Sequence, residues 1–364
     1  MFIVGSPLLA AVVLALPPDA PPPVAPSHPA QVETAPAWWS AGLQSTYVLQ
    51  RKAGFPSPYT GPNSLVTAPE TGYTLTATAF LGLRPWPGAE VFFDPEATQS
   101  QDISHLSGLG GLANGENQKG GGPVPILYRA RAFLRQTFAL GGDASAIEAA
   151  PNQLGGTTTA RRIVVTAGNF SWGDVFDGVS VAHDPRTQFL NWSLMSYGAA
   201  DYAADVRGYT WGVAVEAYLD DWALRVGRFA QPRESNGLAL DADLLAHYGD
   251  TVEIEHRHAP WGRAGTLRLT AFHNQARMGS FADALREAAA AGGAPDVGRV
   301  RRDQSKWGFG IGAEQEVSRD AIAFGRYSFN DGRTETYAFA EIERSLTLGV
   351  SVQGRSWRRP GDTL

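Results

Sequence analysis

The chain alternates between apolar and polar positions over long stretches. In Thr71–Arg84 the odd positions Tyr73, Leu75, Ala77, Ala79, Leu81 and Leu83 are apolar, and the even positions Thr74, Thr76 and Thr78 are polar. Gly208–Leu219 sets Tyr209, Trp211, Val213, Val215, Ala217 and Leu219 against Thr210, Gly212, Ala214, Glu216 and Tyr218. Lys306–Glu316 sets Trp307, Phe309, Ile311 and Ala313 against Gly308, Gly310, Gly312 and Glu314. A period of two is the signature of a strand whose faces meet different surroundings. The runs reach about ten residues, where ordinary strands have about five or six, and about ten is what a tilted strand needs to cross an outer membrane.

The alternation template counts about 13 such strands. Tight links fall at Pro85–Gly88, Asp220–Asp221, Pro260–Gly265 and Ser318–Asp320. Long ones fall at Ser100–Val124, Ser171–Arg207, Pro232–Tyr248 and Ala276–Arg302. Short turns at one end and long loops at the other predict an all-β fold, a transmembrane antiparallel β-barrel with its turns toward the periplasm. The link Gly141–Ala160 is too long for this scheme. Two short helices are expected in loops. One begins at Asp184-Pro185, an N-cap with a first-turn proline, and closes at Gly198; the other is the Ala- and Leu-rich Phe281–Ala291. Each would either fold back into the lumen or lie on the outer rim.

Composition narrows the setting. A chain of 364 residues with 41 glycines, 10% aromatic residues and no cysteine suits a protein that crosses an oxidising periplasm. A net charge of -6 excludes a dense basic face for nucleic acid. Mean hydropathy of -0.18 fits a barrel, because only half of each strand faces lipid. The apolar run Phe2–Leu16 reads as the core of a signal peptide, assigned to residues 1–20, although no Lys or Arg precedes it. Residues 21–37, dominated by Pro and Ala, read as a linker. The barrel is assigned to residues 38–364.

Several stretches resemble the OprB family of carbohydrate-selective porins: Gln44–Leu65 (QSTYVLQRKAGFPSPYTGPNSL), Thr74–Trp86 (TLTATAFLGLRPW), Gly108–Glu116 (GLGGLANGE) and Leu127–Gln136 (LYRARAFLRQ). Further on come Asp184–Tyr197 (DPRTQFLNWSLMSY), Asp201–Gly212 (DYAADVRGYTWG), Val226–Gly237 (VGRFAQPRESNG) and Asn330–Ser345 (NDGRTETYAFAEIERS). The resemblance implies a monomeric, 16-stranded outer-membrane barrel that passes glucose and related mono- or oligosaccharides, placed among outer-membrane lipid by the barrel-assembly machinery. It also implies further strands beyond Leu364, ending on an aromatic residue.

The strongest chemical pattern lies in Leu127–Ala139, where Arg129, Arg131 and Arg135 occupy odd positions. Period two predicts that all three share one face, and the cost of arginine in hydrocarbon, about 2–4 kcal/mol near the midplane, predicts that this face lines the lumen. Glu90, Asp94 and Glu96 share a face of the preceding strand in the same way. The two rows together predict a charged wall whose forks and carboxylates take sugar hydroxyls; the bland alternative is mutual salt bridging. Trp86 and Trp172 are candidates for stacking on a sugar, against the reading that such rings belong to interfacial girdles.

Other constellations carry less. Gly108-Leu109-Gly110 resembles a dinucleotide fingerprint but no helical pattern follows it. His256 and His258 fall on the opposite strand face from Glu253 and Glu255, so no metal site is expected. Ser180, His183 and Asp184 adjoin a predicted cap, and no catalytic residue is expected. No cofactor is implied. The remaining alternatives are a general, weakly selective porin and a secreted polysaccharide-binding β-protein.

Overall fold

The computed structural model describes residues 37–61 and 64–364. The segments read as signal peptide and linker therefore lie outside the described residues, save for Ala37. Among the described residues twelve strands form one antiparallel sheet in sequence order: β1 (Trp39–Lys52), β2 (Glu70–Leu83), β3 (Ala89–Gln101), β4 (Ile126–Ile147), β5 (Gly156–Phe170), β6 (Thr210–Leu219), β7 (Trp222–Ala230), β8 (Tyr248–His258), β9 (Gly265–Met278), β10 (Arg302–Ser318), β11 (Ala321–Asn330) and β12 (Arg344–Val352). That is one fewer than the template counts, because large and small side chains also alternate off the sheet. Tyr337 and Phe339, for example, sit in a loop whose amides donate to the Asp201 carboxylate.

The links segregate by length as the alternation requires. Residues 84–88, 148–155, 220–221, 259–264 and 319–320 make turns at one end; 53–61 with 64–69, 102–125, 171–209, 231–247, 279–301 and 331–343 make loops at the other. The anomalous link 141–160 is mostly strand. β4 and β5 continue as a hairpin to Ile147↔Gly156, with register shifts on both sides of Gly141, and only residues 148–155 turn. The segment after Asp184 is not an α-helix. Asp184 accepts from the Arg186 amide at 2.8 Å, but the chain then makes turns and a 3-10 turn at Trp192–Leu194. Two α-helices are present among the described residues: a single turn, α1 (Asn117–Gly120), and α2 (Phe281–Ala291). Most of α2 is solvent-exposed, and its first amide donates to Arg333 of the neighbouring loop, so it lies on the rim. No helix among the described residues is long and apolar enough to cross a membrane.

The two faces of the sheet differ as hydrocarbon and water differ. Leu81, Phe93, Val213, Leu224, Ile254, Leu269, Ile311 and Leu348 are all exposed on the outward face. A continuous apolar wall of this kind is unstable in water and at home in lipid. Trp39, Trp86, Trp222 and Trp261 are exposed near the short-turn end, and Trp211 and Trp307 nearer the long-loop end, a distribution that makes two girdles. The sheet curls around a common interior, which the longest loop demonstrates. Residues 171–209 contact β2 and β3 through Arg186, β4 through Asp174, β8 and β11 through Asp177, and β10 through Ser180. Among the described residues no pairing joins β1 to β12.

Candidate functional site: a constriction inside the barrel

The loop 171–209 carries its own apolar packing into the interior. Trp172 stacks on Tyr202 with ring centroids 5.0 Å apart and on Phe176 at 5.4 Å, and Trp192 and Tyr202 pack on Phe339. These rings join Phe92, Phe133, Phe170, Phe229 and Phe272 from the inward strand faces in one buried cluster. Polar contacts fix the loop to one side of the wall. Asp177 accepts from Arg326 Nε at 2.9 Å and from the Tyr197 amide at 2.9 Å, and its own amide donates to Glu253 at 2.9 Å. Ser180 Oγ donates to Glu314 at 2.7 Å. Behind the loop, Arg225 bridges Glu216, Glu253 and Glu255, and Arg268 bridges Glu255 and Glu314. Burial of so many charges is tolerable only because each is paired and hydrogen-bonded.

Between this loop and the arc β1–β5 an open cavity of about 630 Å³ remains, within the span of roughly 300–1,000 Å³ usual for small-molecule sites. Arg131 and Arg135 line it from β4, and Phe80 and Phe133 supply apolar surface. Loop residues Glu116, Lys119, Asp174, His183, Asp184, Arg186 and Arg207 complete it, with Ala150–Gln153 from the β4–β5 turn. The charges interlock. Arg131 makes a fork to Asp174, Nε to Oδ2 at 2.7 Å and a second nitrogen to Oδ1 at 2.6 Å, and approaches Asp94 at 3.6 Å. Burial pushes the Asp174 carboxyl up, but the paired Arg131 guanidinium outweighs it and holds the carboxyl below its usual range. Arg135 reaches Glu90 at 3.4 Å and the Asn152 carbonyl at 2.9 Å. Arg186 donates to Glu96 at 2.6 Å, Glu116 at 2.8 Å and Thr78 at 2.8 Å. Arg207 lies 4.3 Å over the Tyr128 ring.

The residues singled out in the sequence separate into three groups. Arg131, Arg135 and Glu90 lie on the inward face at or beside the cavity, with two fully buried carboxylates behind it, Asp94 as the partner of Arg131 and Glu96 as the partner of Arg186. Arg129 does not join them. The register slips between Asp94↔Arg131 and Pro95↔Arg129, so Ala130 is a bulge and the alternation changes phase. Arg129 points outward beside Trp211, 4.9 Å from its ring. Neither tryptophan lines the cavity. Trp86 is exposed at the short-turn end, with Nε1 donating to Gln136, and Trp172 is 1% exposed, with Nε1 donating to Thr251. Sequence reasoning missed Glu116, Lys119, Arg186 and Arg207, which have no periodicity. All but Lys119 lie within the stretches that carry the family resemblance, and that was the available signal.

The remaining constellations take structural places. Glu253 and Glu255 face inward to Arg225, while His256 faces outward, stacked 4.2 Å from Trp222. His183 Nε2 meets the Gly173 carbonyl at 2.7 Å, and Ser180 meets Glu314 instead of His183.

An apolar-walled barrel narrowed from within by a folded-in loop, with a charged passage left beside it, defines the class of outer-membrane diffusion channels. The chain belongs to the carbohydrate-selective porin family OprB, whose model matches residues 79–364. It is an outer-membrane porin of the sugar-passing class. A solved structure of Pseudomonas putida OprB is similar over 90% of this chain and 73% of its own, at 16% identity and a TM-score of 0.60. OccAB1 of Acinetobacter baumannii (11% identity, 88% of this chain and 76% of its own, TM-score 0.42) and OccK2 of Pseudomonas aeruginosa (10%, 90% and 78%, TM-score 0.39) are more distant. None of the curated proteins matches significantly.

Proposed function

We propose that glucose and related sugars cross this protein by passive diffusion through the cavity between the β1–β5 arc and loop 171–209, with no chemistry on the solute. The observation that carries this reading is the interlocked charge of the passage. Arg131, Arg135 and Arg186 each hold carboxylates, so the walls are dense in donors and acceptors while little unpaired charge is left to trap a small ion. A neutral polyhydroxyl solute exchanges its water for such a wall with small net loss, donor for donor and acceptor for acceptor. Phe80 and Phe133 offer the apolar surface that a sugar's CH face requires. The protein works as a monomer among outer-membrane lipids, inserted by the barrel-assembly machinery.

Liposome swelling tests the reading. Glucose enters wild-type proteoliposomes faster than a neutral, non-sugar solute of equal size, and Arg135→Gln with Arg131→Gln reduces that ratio severalfold. An unchanged ratio places selectivity elsewhere and leaves a general, weakly selective pore.

A further inference from the structure

The bulge that turns Arg129 outward leaves a guanidinium on the wall that faces lipid. Its Nε donates to Asn169 Oδ1 at 3.3 Å, and its carbon lies 4.9 Å from the Trp211 ring centroid. Among the described residues Arg129 enters no ion pair, whereas its inward neighbours Arg131 and Arg135 are both paired. Its side chain is exposed, and its two terminal nitrogens make no hydrogen bond to the described residues. Arg129 is the fourth residue of β4 and Trp211 the second of β6, both at the long-loop end. In an outer-membrane barrel that end meets the outer leaflet, where an outward arginine costs only about 0–1 kcal/mol.

A second feature lies beside Trp211 on the same wall. Two residues below it on the same face is Val213, and Val213, Val215, Val226 and Val252 line an outward groove of about 540 Å³. Gly227 lies in its floor, with the Phe229 and Phe176 rings packed against its inner side. Arg228, ion-paired with Asp250, and His273 also line it. A groove on this wall is covered by whatever the leaflet supplies, and Arg129, beside Trp211 on the same wall, has two free donors that match the oxygens of a phosphate.

We propose that Arg129, held by Asn169 and Trp211, binds the phosphate of a phosphorylated outer-leaflet glycolipid, with one of its acyl chains seated along Val213, Val226 and Val252. Arg129 supplies a two-pronged contact to phosphate oxygens. Asn169 fixes the guanidinium plane through Nε, and Trp211 supports it from one side. The bulge at Ala130 thus separates two tasks of one strand, the lumen for Arg131 and Arg135 and the leaflet for Arg129.

Native mass spectrometry of the full protein in detergent, titrated with bisphosphorylated lipid A or with the same lipid after phosphate removal, tests this. The wild type retains the phosphorylated lipid about tenfold more than the dephosphorylated form, the ratio expected from about 1.4 kcal/mol of charge-assisted hydrogen bonding. Arg129→Ala abolishes the difference, and Arg129→Lys restores part of it. Val226→Trp, which fills the groove, lowers retention of both lipids. Equal retention of the two lipids by the wild type overturns the proposal without any variant, as does unchanged retention in a heat-modifiable, folded Arg129→Ala protein. Displacement of the lipid by an equal concentration of inorganic phosphate also overturns it, because the site would then belong to a free anion.

Discussion

Arg131 is clasped from two elements, by Asp94 of β3 and Asp174 of the long loop. Its removal strands Asp94, which is fully buried, and loss of one partner of a buried pair costs about 3–5 kcal/mol. Arg131→Ala therefore lowers the denaturant midpoint of the refolded barrel by an amount in that range, whereas Arg135→Ala, whose partner Glu90 also holds Arg84 at 3.2 Å, costs less. Equal losses would contradict this account of the pairing. A pH dependence sits outside the membrane at His247, between Asp241 at 2.8 Å and Asp303 at 3.2 Å. Burial lowers the His247 pKa, but the two carboxylates outweigh it and raise it above its ordinary 6.5. The Asp243 amide and His247 hold Asp241 below its ordinary 3.8. A raised histidine stabilises below 6.5 and loses that contribution as pH rises through its folded value; a lowered carboxylate stabilises above 3.8 and loses its share on acidification. Protection of the 231–247 amides against hydrogen exchange is thus greatest between pH 3.8 and 6.5 and falls above it. Asp241→Asn brings the His247 titration back toward 6.5; a midpoint that does not move would refute the clamp.

At the scale of elements the strands were legible and the loops were not. Alternation decides a strand because each residue feels only which solvent its face meets, so β2, β6 and β10 can be read from residues 71–84, 208–219 and 306–316 alone. The same logic fails where a bulge intervenes. One extra residue at Ala130 reverses the face of Arg129, and nothing local in Tyr128-Arg-Ala-Arg131 marks it. Loop 171–209 is illegible for a different reason: its fixed points are partners far away in sequence, Asp177 on Arg326 and Arg186 on Glu96. Phe281–Ala291, by contrast, was readable, because a capped helix is a local object; Ser280 accepts from the Asp283 amide as its N-cap. The loop's tether makes a prediction. Asp177→Ala leaves Arg326, whose side chain is 2% exposed, without its carboxylate. The loop then loosens, single-channel conductance in planar bilayers rises, and preference for glucose falls. Unchanged conductance would mean that the loop is held by its aromatic packing alone.

The whole molecule places an apolar wall outside, a packed loop inside and one charged passage between loop and wall. Its outward leucines, valines and isoleucines explain why it partitions into the outer membrane, and the inward ion pairs explain why so much charge survives there. The absence of native cysteine makes the passage directly testable. Thr187 lines the cavity, and Leu269 faces lipid on β9. Reaction of a Thr187→Cys variant with a bulky thiosulfonate should cut both conductance and glucose uptake sharply, while a Leu269→Cys variant treated identically should conduct as before. If the treated Thr187→Cys protein carries glucose at the untreated rate, sugars do not pass between loop 171–209 and the β1–β5 arc, and this account of the channel is wrong.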